Sequence, residues 1–192
     1  MTAHTKSECR KLLLAKRRAI KLDQRAFAAE NAANLFAATQ VFQQSQHIAA
    51  YYPTADEFDC LPLIKKIWEV KKNCYLPMLT STLQLDFGSY QPDDTLHKNR
   101  YHIYEPTNTE KINIDLIDLV IIPLVGFDLQ GNRLGMGAGY YDRTFGFLKH
   151  AIHKKCLLFG LAYEAQYFST LPHDSWDVPL DGILTEEKVL IF

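Results

Sequence analysis

Residues 131–143 read GNRLGMGAGYYDR, a short stretch that holds four glycines, Arg133, Arg143, Asp142 and the adjacent Tyr140 and Tyr141. These residue types suit a phosphate. Glycines let successive backbone N–H groups turn toward an anion, and a helix beginning after the loop adds partial positive charge. Arginine's planar fork donates two parallel hydrogen bonds to phosphate oxygens. Asp142 could hold Mg²⁺, which takes one or two carboxylates and leaves its other positions to water and phosphate. Neither standard phosphate motif is present. The spacing of Gly135, Gly137 and Gly139 fails the G-x-G-x-x-G pattern, and no Gly-Lys dipeptide occurs for a P-loop. The stretch is therefore a non-standard anion cradle.

A second cationic pair, Lys6 and Arg10, lies one helical turn apart and shares a face, so the two can reach one anion together. The chain offers no Ser/His/Asp or Cys/His arrangement for covalent catalysis. Its four cysteines form no C-x-x-C pair and are expected to be reduced. The seven histidines include no H-E-x-x-H. Chemistry here has to come from position and charge.

The elements that carry these residues follow from periodicity. Residues 6–21 read as a helix with an apolar side at Cys9, Leu12 and Leu13. Asp23 is the expected N-cap of an alanine-rich helix running to about Gln44. HIAAYYP is a strand stopped by Pro53. Leu61, Ile64, Ile67 and Trp68 are at helical spacing, with Pro62 in the first turn, where proline is tolerated. NCYLPML and LQLDFGSY read as strands joined by a polar turn. Residues 94–111 read as a long loop. LIDLVIIP is almost wholly apolar, as expected of a central strand buried on both faces of a parallel sheet. The glycine loop follows, then a helix over about 139–149, a strand at KCLLFGLAY, a loop, and a last short strand at GILT. Alternating strands and helices predict an α/β fold: one domain over residues 1–192, with a mostly parallel central sheet flanked by helices in three layers, α/β/α. Ligands in such sheets bind beyond the carboxyl ends of the strands, where the glycine loop is expected.

With 192 residues, about half of them apolar, and a net charge of −1, the composition is that of a globular domain. The near-neutral charge argues against a nucleic-acid partner, although the basic N-terminal helix keeps that alternative open. A different enzyme on a related α/β sheet is the other alternative. No membrane span and no signal peptide are legible. A cytoplasmic monomer is expected.

Taken with other short motifs in order, GNRLGMGAGYYDR resembles the signature of the 5-formyltetrahydrofolate cyclo-ligase family, G-x-R-L-G-x-G-x-G-Y-Y-D. The others are the opening pair Lys6 and Arg10, YYPTADEFD, YEP at 104–106, and LPHDSWDVPLDGILTE. Together they cover most of the chain. His102 stands where family members often have glycine, and Met136 and Ala138 fill variable positions of the signature.

The resemblance implies an ATP- and Mg²⁺-dependent ligase that closes 5-formyltetrahydrofolate to 5,10-methenyltetrahydrofolate and releases ADP and phosphate. It places ATP on Lys6, Arg10, Arg133, Leu134, Gly135, Met136, Gly137, Ala138, Gly139, Tyr140 and Tyr141. Lys6, Arg133 and Tyr140 take the catalytic roles. Asp142 and Asp177 are the implied magnesium ligands. The folate falls to Tyr52, Glu57 and the stretch from Met136 to Tyr140. A carboxylate at Glu57 would accept two adjacent N–H groups of a pterin, and Tyr52 and Tyr140 would stack on flat rings. The implied partners are these two small molecules, with no nucleic acid and no membrane.

Overall fold

The structure is a computed structural model that describes residues 4–107, 110–150 and 154–192. Among the described residues the α-helices are α1 (Lys6–Arg18), α2 (Leu22–Ala37), α3 (Gln40–Gln44), α4 (Leu61–Glu69) and α5 (Tyr140–Phe145). The first six strands are β1 (His47–Ala49), β2 (Asn73–Leu79), β3 (Leu85–Ser89), β4 (Leu96–Lys98), β5 (Tyr104–Pro106) and β6 (Leu119–Pro123). The other five are β7 (Gly126–Phe127), β8 (Arg133–Leu134), β9 (Leu157–Leu161), β10 (Gly182–Leu184) and β11 (Val189–Ile191).

Seven strands make one sheet in the order β11-β10-β9-β6-β1-β2-β3. Its inner pairs are parallel, and the two edge pairs, β2 with β3 and β10 with β11, are antiparallel. β6 occupies the middle, as its apolar run predicts. Leu119 and Ile121 point into one core and Val120 and Ile122 into the other, the two-residue alternation of a strand covered on both sides. The first core packs the alanine face of α2 and the apolar side of α4 on the sheet. The second is covered by α5, its 3₁₀ continuation (Gly146–His150) and loops. The three expected layers are present, with the second helical layer much reduced.

Local chemistry explains where the elements differ from expectation. α2 begins at Leu22 with Asp23 already in its first turn. The helix expected to reach Gln44 breaks at Thr39. That hydroxyl donates to Phe36 O at 2.7 Å and accepts from Phe42 N at 3.2 Å, closing one helix and capping the next. The stretch expected as a loop, residues 94–111, contains the antiparallel pair β4–β5; its residues 108 and 109 lie outside the described residues. The expected 139–149 helix is α-helical for only six residues before tightening. β11 is an additional edge strand. At the N-terminus, Thr5 and Glu8 form a reciprocal capping box that starts α1.

Candidate functional site

A groove of about 1400 Å³ lies beyond the carboxyl end of the sheet. Every residue assigned to a ligand from the sequence lines it: Lys6, Arg10, Tyr52, Glu57, Arg133, Leu134, the stretch from Gly135 to Asp142, and Asp177. Pockets for a single small ligand run to roughly 1,000 Å³, so this one has room for two.

One correction concerns how the glycine loop is mounted. It does not follow β6 directly. Leu124 and Val125 lead into a small hairpin, β7–β8, and the loop begins at its end. Buried Asp128 builds that hairpin. Its carboxylate accepts from Gln130 N and Asn132 N, both at 3.0 Å, from Asn132 Nδ2 at 2.9 Å and from Leu171 N at 2.9 Å. Gly137 and Gly139 have φ of 104° and 71°, which side-chain-bearing residues rarely adopt. At Gly135 a Cβ would meet no atom within 4 Å, so the loop presents bare backbone to open space there. α5 is too short to contribute much of a helix dipole.

Charge surrounds the loop. Arg10 Nε donates to Gly135 O at 2.8 Å, and Arg143 Nη1 to Ala138 O at 2.5 Å. Arg133 is buried. It donates to Asp142 Oδ1 at 2.6 Å and to the Val178 carbonyl. Burial pulls its guanidinium down from the ordinary value, against the charges of Asp142 and Asp177. Lys6 Nζ donates to Asp177 Oδ2 at 2.6 Å and to Asp174 Oδ2 at 2.7 Å. Burial lowers the Lys6 amine, but these bonds and the charges behind them outweigh it and raise the amine above its usual value.

The two acids fit a magnesium ion in part. Asp142 Oδ1 accepts from Arg133 and from Val178 N at 3.0 Å. Asp177 Oδ2 accepts from Lys6 and from Asp174 N at 2.9 Å. The second oxygen of each carries no bond among the described residues. No group of three or more His, Cys, Asp or Glu side chains gathers to hold a metal among the described residues. That suits an ion held by one or two carboxylates and otherwise by phosphate.

At the other end of the groove, Glu57 closes a turn by accepting from Thr54 N at 2.9 Å. Arg18 Nε pairs with Asp56 at 3.1 Å and Arg25 Nη1 holds Ala55 O at 3.2 Å, so α1 and α2 fasten this turn. Tyr52 packs on Tyr104, ring centroids 4.8 Å apart. Tyr141 is stacked on Phe145, and its phenol is pushed well up by burial, with Glu57 adding to the effect. Leu134 touches the groove, but its side chain is buried with Cys9, Leu13, Val125 and Leu171.

The β4–β5 connection adds residues that the sequence reading missed. Glu105 Oε1 accepts from Leu79 N at 2.9 Å and Asn99 Nδ2 at 2.7 Å, fixing the connection over the groove. There Arg100 Nη2 donates to the Tyr140 hydroxyl at 3.3 Å, and Tyr101 and Arg100 together hold its pKa below the ordinary phenol value. His102 has φ of 59°, a conformation that glycine adopts without strain and other residues rarely do. Asp174, Trp176, Arg17 and Asn99 also line the groove; the first two fall within the LPHDSWDVPLDGILTE motif without having been assigned a ligand, and no motif marks the other two. Of these, Trp176 stands 67% exposed at the rim, like Met136 at 66%; both are apolar surfaces facing a ligand space. The four cysteines are free and buried. Burial pushes the Cys60 and Cys156 thiols up to about 12, so neither is a nucleophile.

The chain is similar to known proteins over most of its length. The model of the 5-formyltetrahydrofolate cyclo-ligase family matches residues 2–186. The 5-formyltetrahydrofolate cyclo-ligase of Haemophilus influenzae is 40% identical over 146 residues, which is 74% of this chain and 76% of that protein. The Escherichia coli K12 protein of the same name is 35% identical over 178 residues, 91% and 96% of the two chains. Among solved structures, the 5,10-methenyltetrahydrofolate synthetase of Aquifex aeolicus superposes with a TM-score of 0.81 at 34% identity, covering 97% of this chain and 92% of that one.

Proposed function

The chain belongs to the 5-formyltetrahydrofolate cyclo-ligase family, and we propose that it couples ATP to the closure of 5-formyltetrahydrofolate into 5,10-methenyltetrahydrofolate in the groove described. The observation that carries this reading is that one groove holds both an anion cradle and, along its length, a carboxylate-and-tyrosine end suited to a pterin.

The chemistry asks for position and charge. The formyl oxygen of the substrate attacks the γ-phosphorus of ATP, and ADP leaves. The amide oxygen, a poor leaving group, has become a phosphate. N10 attacks the formyl carbon and loses its proton, and phosphate departs with the C–O bonding pair. The glycine-loop N–H groups and Arg10 would bind the polyphosphate, and Lys6 would neutralise charge on the transferring oxygens. Arg133 keeps Asp142 oriented from beneath, and Asp142 and Asp177 would hold Mg²⁺. That ion supplies charge neutralisation on the phosphate oxygens when bound. Tyr140, its hydroxyl fixed by Tyr101 and Arg100, faces the junction of the two ligands. Glu57 accepts from the pterin and Tyr52 lies against it.

No described helix is long and apolar enough to cross a membrane; the same reading makes the protein a cytoplasmic monomer acting on two small molecules. The test is direct: purified protein, 5-formyltetrahydrofolate, ATP and Mg²⁺ should develop the methenyl chromophore with matching ADP release. Chromophore formation that is indifferent to nucleotide, or none at all, would defeat the reading.

A further inference from the structure

Arg17 has no partner equal to its charge. Its side chain is buried, with the residue only 4% exposed, and Nε has no hydrogen-bond partner among the described residues. Nη1 reaches Leu124 O at a long 3.4 Å, and that carbonyl already accepts from Gln166 Nε2 at 3.0 Å. No carboxylate lies within ion-pair distance of Arg17 among the described residues. An unpaired buried cation is strongly unfavourable. An apolar side chain could occupy the site at no such cost, as Leu13 does one turn earlier on α1.

The residue is placed to meet a ligand. Lys6, Arg10, Leu14 and Arg17 all line the groove, at spacings that put them on one face of α1. Eleven residues at 1.5 Å each separate the first from the last, roughly 16 Å. Lys6 therefore stands at the phosphate end and Arg17 well along toward the far end. Arg25 spans Arg17 O and Ala55 O with its two terminal nitrogens, at 2.9 and 3.2 Å, so Arg17 lies beside the turn that carries Glu57, and no ion pair joins the two among the described residues. Burial lowers the Arg17 guanidinium, and Glu57 and Asp56 offset this only in part.

We propose that Arg17 is a specificity-determining residue for the pteridine, its guanidinium donating to the 4-oxo oxygen beside the edge that Glu57 accepts. This rests on the folate reading of the groove. A reduced pterin presents two donors, the 2-amino group and N3–H, followed directly by an acceptor, O4. A carboxylate with a guanidinium beside it is the complementary sequence of acceptor and donors. O4 also neighbours N5, so a donor there holds the ring that carries the reacting formyl group.

The experiment measures binding of 5-formyltetrahydrofolate and of its 4-amino-4-deoxy analogue to the full chain, alongside ATP. The wild-type protein should bind the 4-oxo compound about 10- to 100-fold more tightly, the range expected of a charge-assisted hydrogen bond. Arg17→Met should lose about tenfold of that preference, the part owed to O4, while the part owed to N3–H, which the analogue also lacks and Glu57 reads, stays; it should keep its ATP affinity within about twofold and melt no lower than wild type, because a buried unpaired charge has been removed. Arg17→Gln, whose amide both donates and accepts, should show the same reduced preference. Equal binding of the two by the wild-type protein, an Arg17→Met variant that keeps the full preference, or an equal loss of ATP affinity would overturn the assignment and leave the folate reading standing. Failure of the wild-type protein to bind either pteridine would overturn both.

Discussion

At the glycine-loop end of the groove, Lys6 and Arg133 each rest on acids: Lys6 on Asp174 and Asp177, Arg133 on Asp142. At the Glu57 end, among the described residues, buried Arg17 has no carboxylate in reach and the Glu57 carboxylate accepts only from the backbone N–H of Thr54. The two ends solve different problems. A polyphosphate with a metal ion brings both signs of charge, so cations and acids can wait paired and exchange partners. A neutral heterocycle brings only donors and acceptors. The groups that read it must stand free beforehand, and the surrounding fold must tolerate them.

The largest effect that separates the two ends should come from Arg133→Ala. It leaves Asp142 without its partner and frees the 177–178 segment. Breaking a buried pair costs about 3–5 kcal/mol. Turnover should fall roughly 10- to 100-fold, the usual loss when the group that orients a metal-holding carboxylate is removed, and a denaturant melt should show the destabilisation as well. Near-wild-type turnover would remove Arg133 from the machinery.

Next comes Glu57→Gln at the other end. The amide oxygen keeps the bond from Thr54 N, so stability should shift by less than about 0.5 kcal/mol. The KM for 5-formyltetrahydrofolate should rise about 10- to 100-fold, with the KM for ATP moving no more than about twofold. Parallel rises in both constants would mean the ends are not separate.

Within the loop, two glycines should part company. Gly139→Ala puts a side chain at φ of 71°, 2.8 Å from Arg143 Nη1, and should cost about 1–2 kcal/mol of stability. Gly135→Ala meets open space and should leave the melting curve unchanged while ATP binding weakens about tenfold, a loss of about 1.4 kcal/mol. Equal behaviour of the two variants in both assays would show that Gly135 does not face the nucleotide.

The smallest effect concerns Lys6. Its folded pKa lies above the ordinary 10.5, so its contribution is complete below about pH 10.5 and vanishes as pH rises through the folded value. The stability difference between wild type and Lys6→Met should therefore shrink on the alkaline side and stay flat between pH 6 and about 9. A difference that changes between pH 6 and about 9 instead would show that the Lys6 amine does not carry it.

Much of the fold was legible because its signals are local. The apolar run of β6, the helical spacing of α4 and the proline in its first turn each state their own conformation. The alternating glycines imply a loop that bare backbone alone can follow, and φ at Gly137 and Gly139 is indeed positive. What was missed lay mostly in contacts across sequence. The β4–β5 pair has short, polar strands with no apolar alternation, so it read as loop. Arg17 looked like one more basic residue on a charged helix. His102, a departure from the glycine that the resemblance leads one to expect, does sit at a φ of 59°, where glycine is favoured.

By itself the sequence determined the main helices and inner strands of the sheet, the burial of the central strand, and the presence of an anion-binding loop with its arginines and acid, since each depends on residues within a few positions of one another. Only the tertiary structure decided that Lys6 meets Asp177 across 171 positions, that a hairpin stands between β6 and the glycine loop, and that Arg17 is buried in the groove wall with no carboxylate beside it among the described residues. Pairing and burial of charge depend on which surfaces the sheet brings together, and no stretch of chain carries that information alone.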